Sequence, residues 1–310
     1  MSTVVVPKRL VEISLVNVAN QVPQLFCEDG EREYHERLQR AAKRIIRSGA
    51  HIIMLTGPSA SGKTTTSHKL AAELRAQGVP AKVISLDNFF LGSEHYPVLP
   101  DGTKDYESPA TLDMPLINQC LNELYTTGRS DLPVYDFANE RRADYTEHME
   151  LEGGVCIVEG IHALNPELTR ILPKGEVYRI YAGLREEYSS DGVRAINTRD
   201  IRLCRRLLRD AVNRGHGPEQ TLEMWHKVLD GDDKYIRPYK DDADLILDTS
   251  HTYELGIIAG LVADAEKLVD PGYHKAKLWY DTIRRFDEVT KLPKSLIPAD
   301  SMLCEFYGKP

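Results

Sequence analysis

From Glu31 to Gly49 the apolar residues Tyr34, Leu38, Ala41, Ala42, Ile45 and Ile46 fall at helical spacing, which predicts an amphipathic helix stopped by glycine. The pattern then changes. His51-Ile-Ile-Met-Leu-Thr56 is a short apolar run ending at Gly57, and Lys63 to Gln77 is rich in helix formers until Gly78 and Pro80. This reads as strand, glycine loop, helix. Further short runs rich in Val, Ile or Leu, at Ala81 to Leu86, Val155 to Glu159, Val177 to Ala182 and Asp244 to Asp248, read as buried strands. With helical patterns between most of them, they predict an α/β fold: a mostly parallel sheet with helices on both faces. Residues 1–30 show no clear periodicity. Two stretches break the alternation: 91–142, where prolines, tyrosines and acids surround one helix near Met114 to Tyr125, and 183–198. Long connections of this kind read as binding loops or lids, with a mobile surface insertion as the plain alternative for the second. The expected organisation is an N-terminal extension over 1–30, a main domain over 31–270 carrying an insertion at 91–142 and a lid region at 183–217, and a C-terminal extension over 271–310.

Composition narrows the function classes. The chain has 310 residues, enough for one large domain or two small ones, with 39 Lys+Arg against 47 Asp+Glu and a formal net charge of -8. That sign argues against a protein whose affinity comes from covering nucleic-acid phosphates. The scattered cysteines Cys27, Cys120, Cys156, Cys204 and Cys304 form no Cys-x-x-Cys pair, so neither a disulfide framework nor a zinc site is expected. Met1 to Val16 is interrupted by Pro7, Lys8, Arg9 and Glu12, unlike a signal peptide, and no run approaches the roughly 18 apolar residues of a membrane span. A cytoplasmic protein is the expectation.

Gly57-Pro-Ser-Ala-Ser-Gly62-Lys63-Thr64 matches the phosphate-loop pattern G-x-x-x-x-G-K-[ST], and it lies between a predicted strand and a predicted helix, as its mechanism demands. Glycines let successive N–H groups turn inward, and the helix presents its positive end to phosphates. Gly57, Ser59, Ala60, Ser61, Gly62, Lys63, Thr64 and Thr65 are therefore the nucleotide-binding candidates, with Lys63 on the terminal phosphates and Thr64 offering a hydroxyl to Mg²⁺. The guanine-specifying Asn-Lys-x-Asp has no counterpart beyond Asn197-Thr-Arg-Asp200, which disfavours a GTPase switch. Asp87 follows the second strand, at the carboxyl end where open parallel sheets bind ligands, and is placed to orient an acceptor hydroxyl and take its proton. Glu159 ends another buried strand and reads as the acid near Mg²⁺; a solvent-facing strand cap is its plain alternative. Between Arg199 and Gly215, Ile201, Cys204, Leu208, Ala211 and Val212 line one helical face, and Arg199, Arg202, Arg206 and Arg209 the opposite one. Arginine suits charge that migrates during phosphoryl transfer, although a solvated face paired to Asp200 and Asp210 fits the same spacing.

Together these segments resemble the uridine-cytidine kinase family, within the uridine kinase and phosphoribulokinase group, from about Ile45 to Val269. Beyond the phosphate loop, the likeness is carried by Ile84-Ser-Leu-Asp87-Asn-Phe89-Phe90, Tyr106-Glu-Ser-Pro109, Leu132-Pro-Val-Tyr135-Asp-Phe137, Val158-Glu159-Gly160-Ile161 and Arg202 through Gly215. The resemblance implies a P-loop kinase in which Asp87 is the catalytic aspartate, Glu159 the magnesium-associated acid, and Arg206, Arg209 and Arg214 lid arginines. It sets Tyr106, Tyr135 and Phe137 around a nucleoside, Glu107 on the ribose hydroxyls, and Glu140, Arg142 and Arg206 near the acceptor, with Arg214 also on the nucleotide and Asp87 also a ligand for Mg²⁺. Departures fall where the acceptor is read: Glu107 replaces the family's aspartate, Glu140 a histidine and Met224 a glutamine. The tail from Leu296 to Phe306 resembles the ending of longer bacterial uridine kinase-like proteins, whose amino-terminal region related to threonyl-tRNA synthetase is not expected here.

The expected activity is transfer of the terminal phosphate of ATP or GTP, with Mg²⁺, to the 5'-hydroxyl of a nucleoside. The rivals are a kinase for a sugar phosphate, polyol or pantothenate-like alcohol, and a nucleotide-binding regulator with little catalysis. The partners are small molecules, with no nucleic acid, no membrane and a homo-oligomer as one arrangement.

Overall fold

The computed structural model describes residues 7–213, 217–265 and 268–309; for 211–213 and 264 only the backbone is described. In chain order the elements are β1 (Arg9–Glu12), α1 (Ile13–Ala19), α2 (Pro23–Ser48), β2 (Ile52–Thr56), α3 (Lys63–Ala76), β3 (Ala81–Ser85), α4 (Met114–Thr127), β4 (Arg129–Asp136), β5 (Arg141–Glu150), β6 (Val155–Glu159), β7 (Val177–Gly183), β8 (Glu186–Ser190), β9 (Val193–Ile196), α5 (Thr198–Asn213), α6 (Pro218–Gly231), β10 (Leu245–Asp248), α7 (Glu254–Ala265), α8 (Ala276–Ile283) and α9 (Cys304–Tyr307).

Five of the strands form one parallel sheet in the order β10-β7-β2-β6-β3. Its central strand shows why the apolar runs are continuous. Ile53 and Leu55 face a core shared with α2, α3 and α7, whereas Ile52 and Met54 face a second core built on α4. Both faces are covered, so successive side chains are all buried and the α/β expectation holds. Register then levels the strand ends: Glu159 stands beside Leu55 on one side and Ser85 on the other. The phosphate loop, Asp87 and Glu159 thus emerge at one edge of the sheet.

The structure departs from the sequence reading in three places. Helix α2 starts at Pro23, eight residues before Glu31, and runs through Gly30, where a Cβ would meet the Tyr253 ring at 2.7 Å. Here glycine marks a close approach and not a break. The insertion contains an antiparallel hairpin, β4 with β5, that extends past residue 142 to Glu150. Strand β5 is polar and largely exposed, held by pairing to β4, and so lacks an apolar signature. Residues 183–198, read as an irregular connection, form β8 and β9, which join β1 in a three-stranded sheet. Strand β8 buries acids: Glu186 pairs with Arg9 and accepts from Tyr188 Oη at 3.0 Å and Thr252 Oγ1 at 2.9 Å. Polar burial of this kind leaves no hydrophobic run to read. Both extensions pack on the main core, through Ile13 and Val16 at one end and Trp279, Phe286, Met302 and Phe306 at the other. The five cysteines are free thiols, and among the described residues no helix is long and apolar enough to cross a membrane.

Candidate active site

The loop from Gly57 to Gly62 joins β2 to α3, and its glycines sit where side chains have no room. A Cβ on Gly57 would lie 2.0 Å from the Ala182 carbonyl oxygen, and Gly62, with φ 85°, caps α3 against Met302. Ala60 also takes a positive φ of 60°, a strained conformation for a residue with a side chain. Ser61 is buried beneath the loop. Lys63 Nζ donates to the Pro58 carbonyl at 3.2 Å. Burial holds its ammonium below the ordinary lysine range, an effect opposed by the charges of Glu159, Asp87, Glu305 and Asp232.

Ser59, Ala60, Gly62, Lys63 and Thr64 line a cleft of about 740 Å³, which also includes Asp87, Phe90, Tyr106, Glu107, Phe137, Glu140, Glu159, Arg206, Arg209, Met224 and Glu305. Asp87 sits on the turn after β3, its backbone N–H donating to Ser85 Oγ at 3.3 Å. Across from it the Thr64 hydroxyl lies 3.4 Å from Glu159 Oε1. Glu159 is buried, and burial, reinforced by the charge of Asp87, pushes its carboxyl up to about 7 against the pull of Lys63. Among the described residues there is no ready-made cluster of three metal-ligating side chains. The oxygen donors that are present, one hydroxyl beside one carboxylate with a second carboxylate nearby, fit Mg²⁺, which keeps waters and takes its remaining ligands from phosphates.

The cationic face of α5 is seated on the loop. Arg202 Nε donates to the Ser59 carbonyl at 2.7 Å, Arg205 Nη1 to the Ala60 carbonyl at 3.2 Å, and Arg206 Nη1 to Ser59 Oγ at 2.8 Å. Of the four arginines on that stripe, Arg202 and Arg206 are buried, Arg209 is half-buried and Arg199, paired with Asp233, is exposed; Arg206 and Arg209 both pair with Asp210, and Arg205, outside the stripe, is buried as well. Arg209 lines the cleft and donates to Asp210 at 2.8 and 3.0 Å. Arg214 lies outside the described residues, as do the side chains of Ala211 and Val212. A neighbouring groove beyond Pro58 stays basic although part of its charge is paired: Lys8 and Arg194 share Glu187, Arg199 and Arg237 share Asp233, and Arg202 holds Asp232, while Arg185 and Lys240 line it as well.

At the other end, Tyr106 and Phe137 present exposed rings to the cleft. Tyr135 is behind them, edge-on to Phe137 at 5.1 Å and to Phe90 at 5.7 Å, so it supports the aromatic wall without lining it. Glu107 is wedged against Gly231, where a Cβ would come within 2.4 Å of its own. Burial pushes the Glu107 carboxyl up to about 7, although the Arg206 charge pulls the other way. Glu140 enters from the β4–β5 turn with φ 49°. Arg142 does not reach the cleft; it pairs at 3.0 Å with Asp113, the residue that caps α4. Phe90, Ile161 and Glu305 line the cleft without having been selected from sequence. Phe90 and Ile161 fall inside quoted motif segments, but nothing in the spacing ties position 305 to the loop.

A parallel sheet with a phosphate loop after its central strand, carboxylates at two adjoining strand ends and arginines over the loop defines a P-loop phosphotransferase. The chain belongs to the phosphoribulokinase / uridine kinase family, whose pattern it matches over residues 52–255. It is 29% identical over 197 residues to a uridine kinase of Deinococcus deserti, spanning 63% of this chain and 86% of that one. A uridine kinase of Lactobacillus helveticus is 30% identical over 63% of this chain and 85% of its own. A uridine kinase of Saccharomyces cerevisiae is 29% identical over 64% of this chain but only 36% of that longer protein. The family resemblance read from the motifs is borne out.

Proposed function

We propose that the protein transfers the terminal phosphate of ATP or GTP to a hydroxyl of an uncharged nucleoside, in the manner its relatives' names suggest. The observation that carries this reading is the division of charge along the cleft. Lys63, Arg206 and Arg209 gather at the loop end beside Glu159 and Glu305, whereas Asp87, Glu107 and Glu140, with the rings of Tyr106 and Phe137, line the rest of the cleft, where the cations that act on Glu107 are Arg206 and Lys63 of the loop end. Carboxylates accept hydrogen bonds from vicinal hydroxyls and repel anions, and aromatic faces bury a flat base. A sugar phosphate or a pantothenate-like acid would bring negative charge to the wrong end.

In this reading the backbone from Gly57 to Thr65 and the Lys63 ammonium hold the triphosphate, and Thr64, Glu159 and Asp87 supply the oxygen ligands for Mg²⁺. The cation, when bound, neutralises charge on the phosphate oxygens. Asp87 aligns the acceptor O–H and takes its proton as the new oxygen–phosphorus bond forms. The bond from that phosphorus to the bridging oxygen breaks, and the nucleoside diphosphate leaves with the electron pair. Arg206 and Arg209 balance charge on the transferring group and keep water out. The five free thiols support a reducing, cytosolic setting. The test is product mass spectrometry over a panel of uridine, cytidine, sugar phosphates, polyols and pantothenate, with ATP and with GTP. A nucleoside should be the best acceptor; faster phosphorylation of an anionic alcohol would refute the reading.

A further inference from the structure

The cleft carries a carboxylate that phosphoryl transfer to a nucleoside does not use. Glu305, on the short helix α9 near the carboxyl terminus, accepts through Oε2 from the Thr65 backbone N–H at 3.2 Å and from the Thr65 hydroxyl at 2.6 Å. These donors belong to the first turn of α3, directly after Lys63 and Thr64. Backbone N–H groups at this point of a phosphate loop, backed by the positive end of the helix, are the ones that cradle a phosphate chain. An ionised carboxylate makes charge-assisted bonds to such donors, as a phosphate oxygen does. The Glu305 charge also acts on Lys63.

The segment is anchored so that this carboxylate is delivered to the loop. Met302 packs against Gly62, and Met302, Leu303 and Phe306 are fully buried. The guanidinium of Arg205 lies 4.6 Å from the centre of the Phe306 ring, while Tyr307 Oη donates to Glu254 at 2.6 Å. Arg205 itself holds both Glu254 and the Ala60 carbonyl of the loop. Glu305 is only partly buried, so its side chain can turn away while its neighbours stay in place.

We propose that the carboxyl-terminal segment is a built-in competitor for the nucleotide: Glu305 occupies donors that the loop offers to phosphate, and it must leave Thr65 before a nucleoside triphosphate seats fully. The competitor raises the concentration of triphosphate needed to fill the site and recaps the loop when the diphosphate departs. This inference rests on the phosphate-loop reading of Gly57 to Thr65.

The experiment measures tripolyphosphate and Mg²⁺-ATP binding by calorimetry for the wild type, Glu305→Gln and Glu305→Ala, with amide exchange at Thr65 and thermal unfolding on each. An occupied fraction that no longer has to be displaced appears as tighter apparent affinity, here about tenfold in both variants. The Thr65 amide should be protected in the nucleotide-free wild type and exchange faster in both variants. Equal or weaker affinity in both variants, with the wild type still binding, overturns the competitor and leaves the phosphate loop standing. So does an unprotected Thr65 amide in the nucleotide-free wild type, a result that needs no variant to fold. Absence of tripolyphosphate and ATP binding in all three proteins would overturn the loop assignment and the competitor with it.

Discussion

The guanidinium of Arg206 donates to the hydroxyl of Ser59 at 2.8 Å, which ties the middle of α5 to the phosphate loop. The arginine is buried and also lies 3.5 Å from Asp210, so its charge is held in place before any nucleotide arrives. Preorganised charge of this kind stabilises a transition state without reorganisation at the moment of reaction. Arg206→Ala should therefore lower kcat by about 10² to 10³-fold, with a smaller change in the KM for nucleotide. Ser59→Ala removes the tie but keeps the charge, and should cost less than about tenfold. Steady-state kinetics on both variants separates the two effects; equal losses would assign Arg206 a purely structural role.

Asp87→Asn keeps the size of the side chain but removes its capacity to accept a proton. Turnover should fall by roughly 10² to 10⁴-fold, the range expected of a positioned acid-base group, with nucleotide binding retained. Single-turnover rates and a calorimetric titration check the two halves of that statement. Full turnover in the variant would take Asp87 out of the mechanism.

Lys63→Ala acts differently, because an ammonium that meets the phosphates in both ground and transition states contributes to binding and to rate. The Kd for ATP should rise and the transfer rate should fall together, each by at least about tenfold. An unchanged transfer rate would contradict the phosphate-loop assignment.

The parts of this molecule that can be read along the chain are those whose physics is local. Strands buried on both faces announce themselves as apolar runs, and a loop that must turn its amides inward needs Gly57 and Gly62. Asp87 and Glu159 were found because each ends a recognisable strand, and sheet register brings the two ends level. What escaped depends on contacts between distant segments. Gly30 resembles a helix breaker until Tyr253, 223 residues later in number, is seen to need the space. Strand β8 hides because its buried acids are satisfied by polar partners, Glu186 by Arg9, Tyr188 and Thr252 and Glu187 by Lys8 and Arg194, and not by apolar neighbours. Arg142 sits in a motif-bearing segment, yet its charge is directed to Asp113, away from the cleft. Glu305 lies in the tail that resembles longer relatives, but nothing in its local spacing points to Thr65, 240 positions away.

Glu159 also gives the fold a dependence on pH. Its carboxyl rises from an ordinary value of 4.5 to about 7 because burial disfavours the charged form and Asp87 adds repulsion, with Lys63 opposing both. Between those values the native state keeps a proton that the unfolded chain has lost. Stability is thus fully supported below pH 4.5 and declines as pH rises through about 7. A shift of that size corresponds to roughly 3 kcal/mol at most. Glu159→Gln cannot ionise, so the nucleotide-free variant should be more stable than the wild type at pH 8 by about 1 to 3 kcal/mol, with a flatter slope from pH 5 to 8. Glu107, also pushed up to about 7, contributes a parallel slope that Glu107→Gln removes separately. Mg²⁺ with ATP matches the ionised Glu159, so it should recover wild-type stability above pH 7 and help Glu159→Gln less. Urea unfolding at successive pH values, with and without Mg²⁺-ATP, reads all of these quantities, and identical slopes in the wild type and Glu159→Gln would show that this carboxyl is already charged in the free protein.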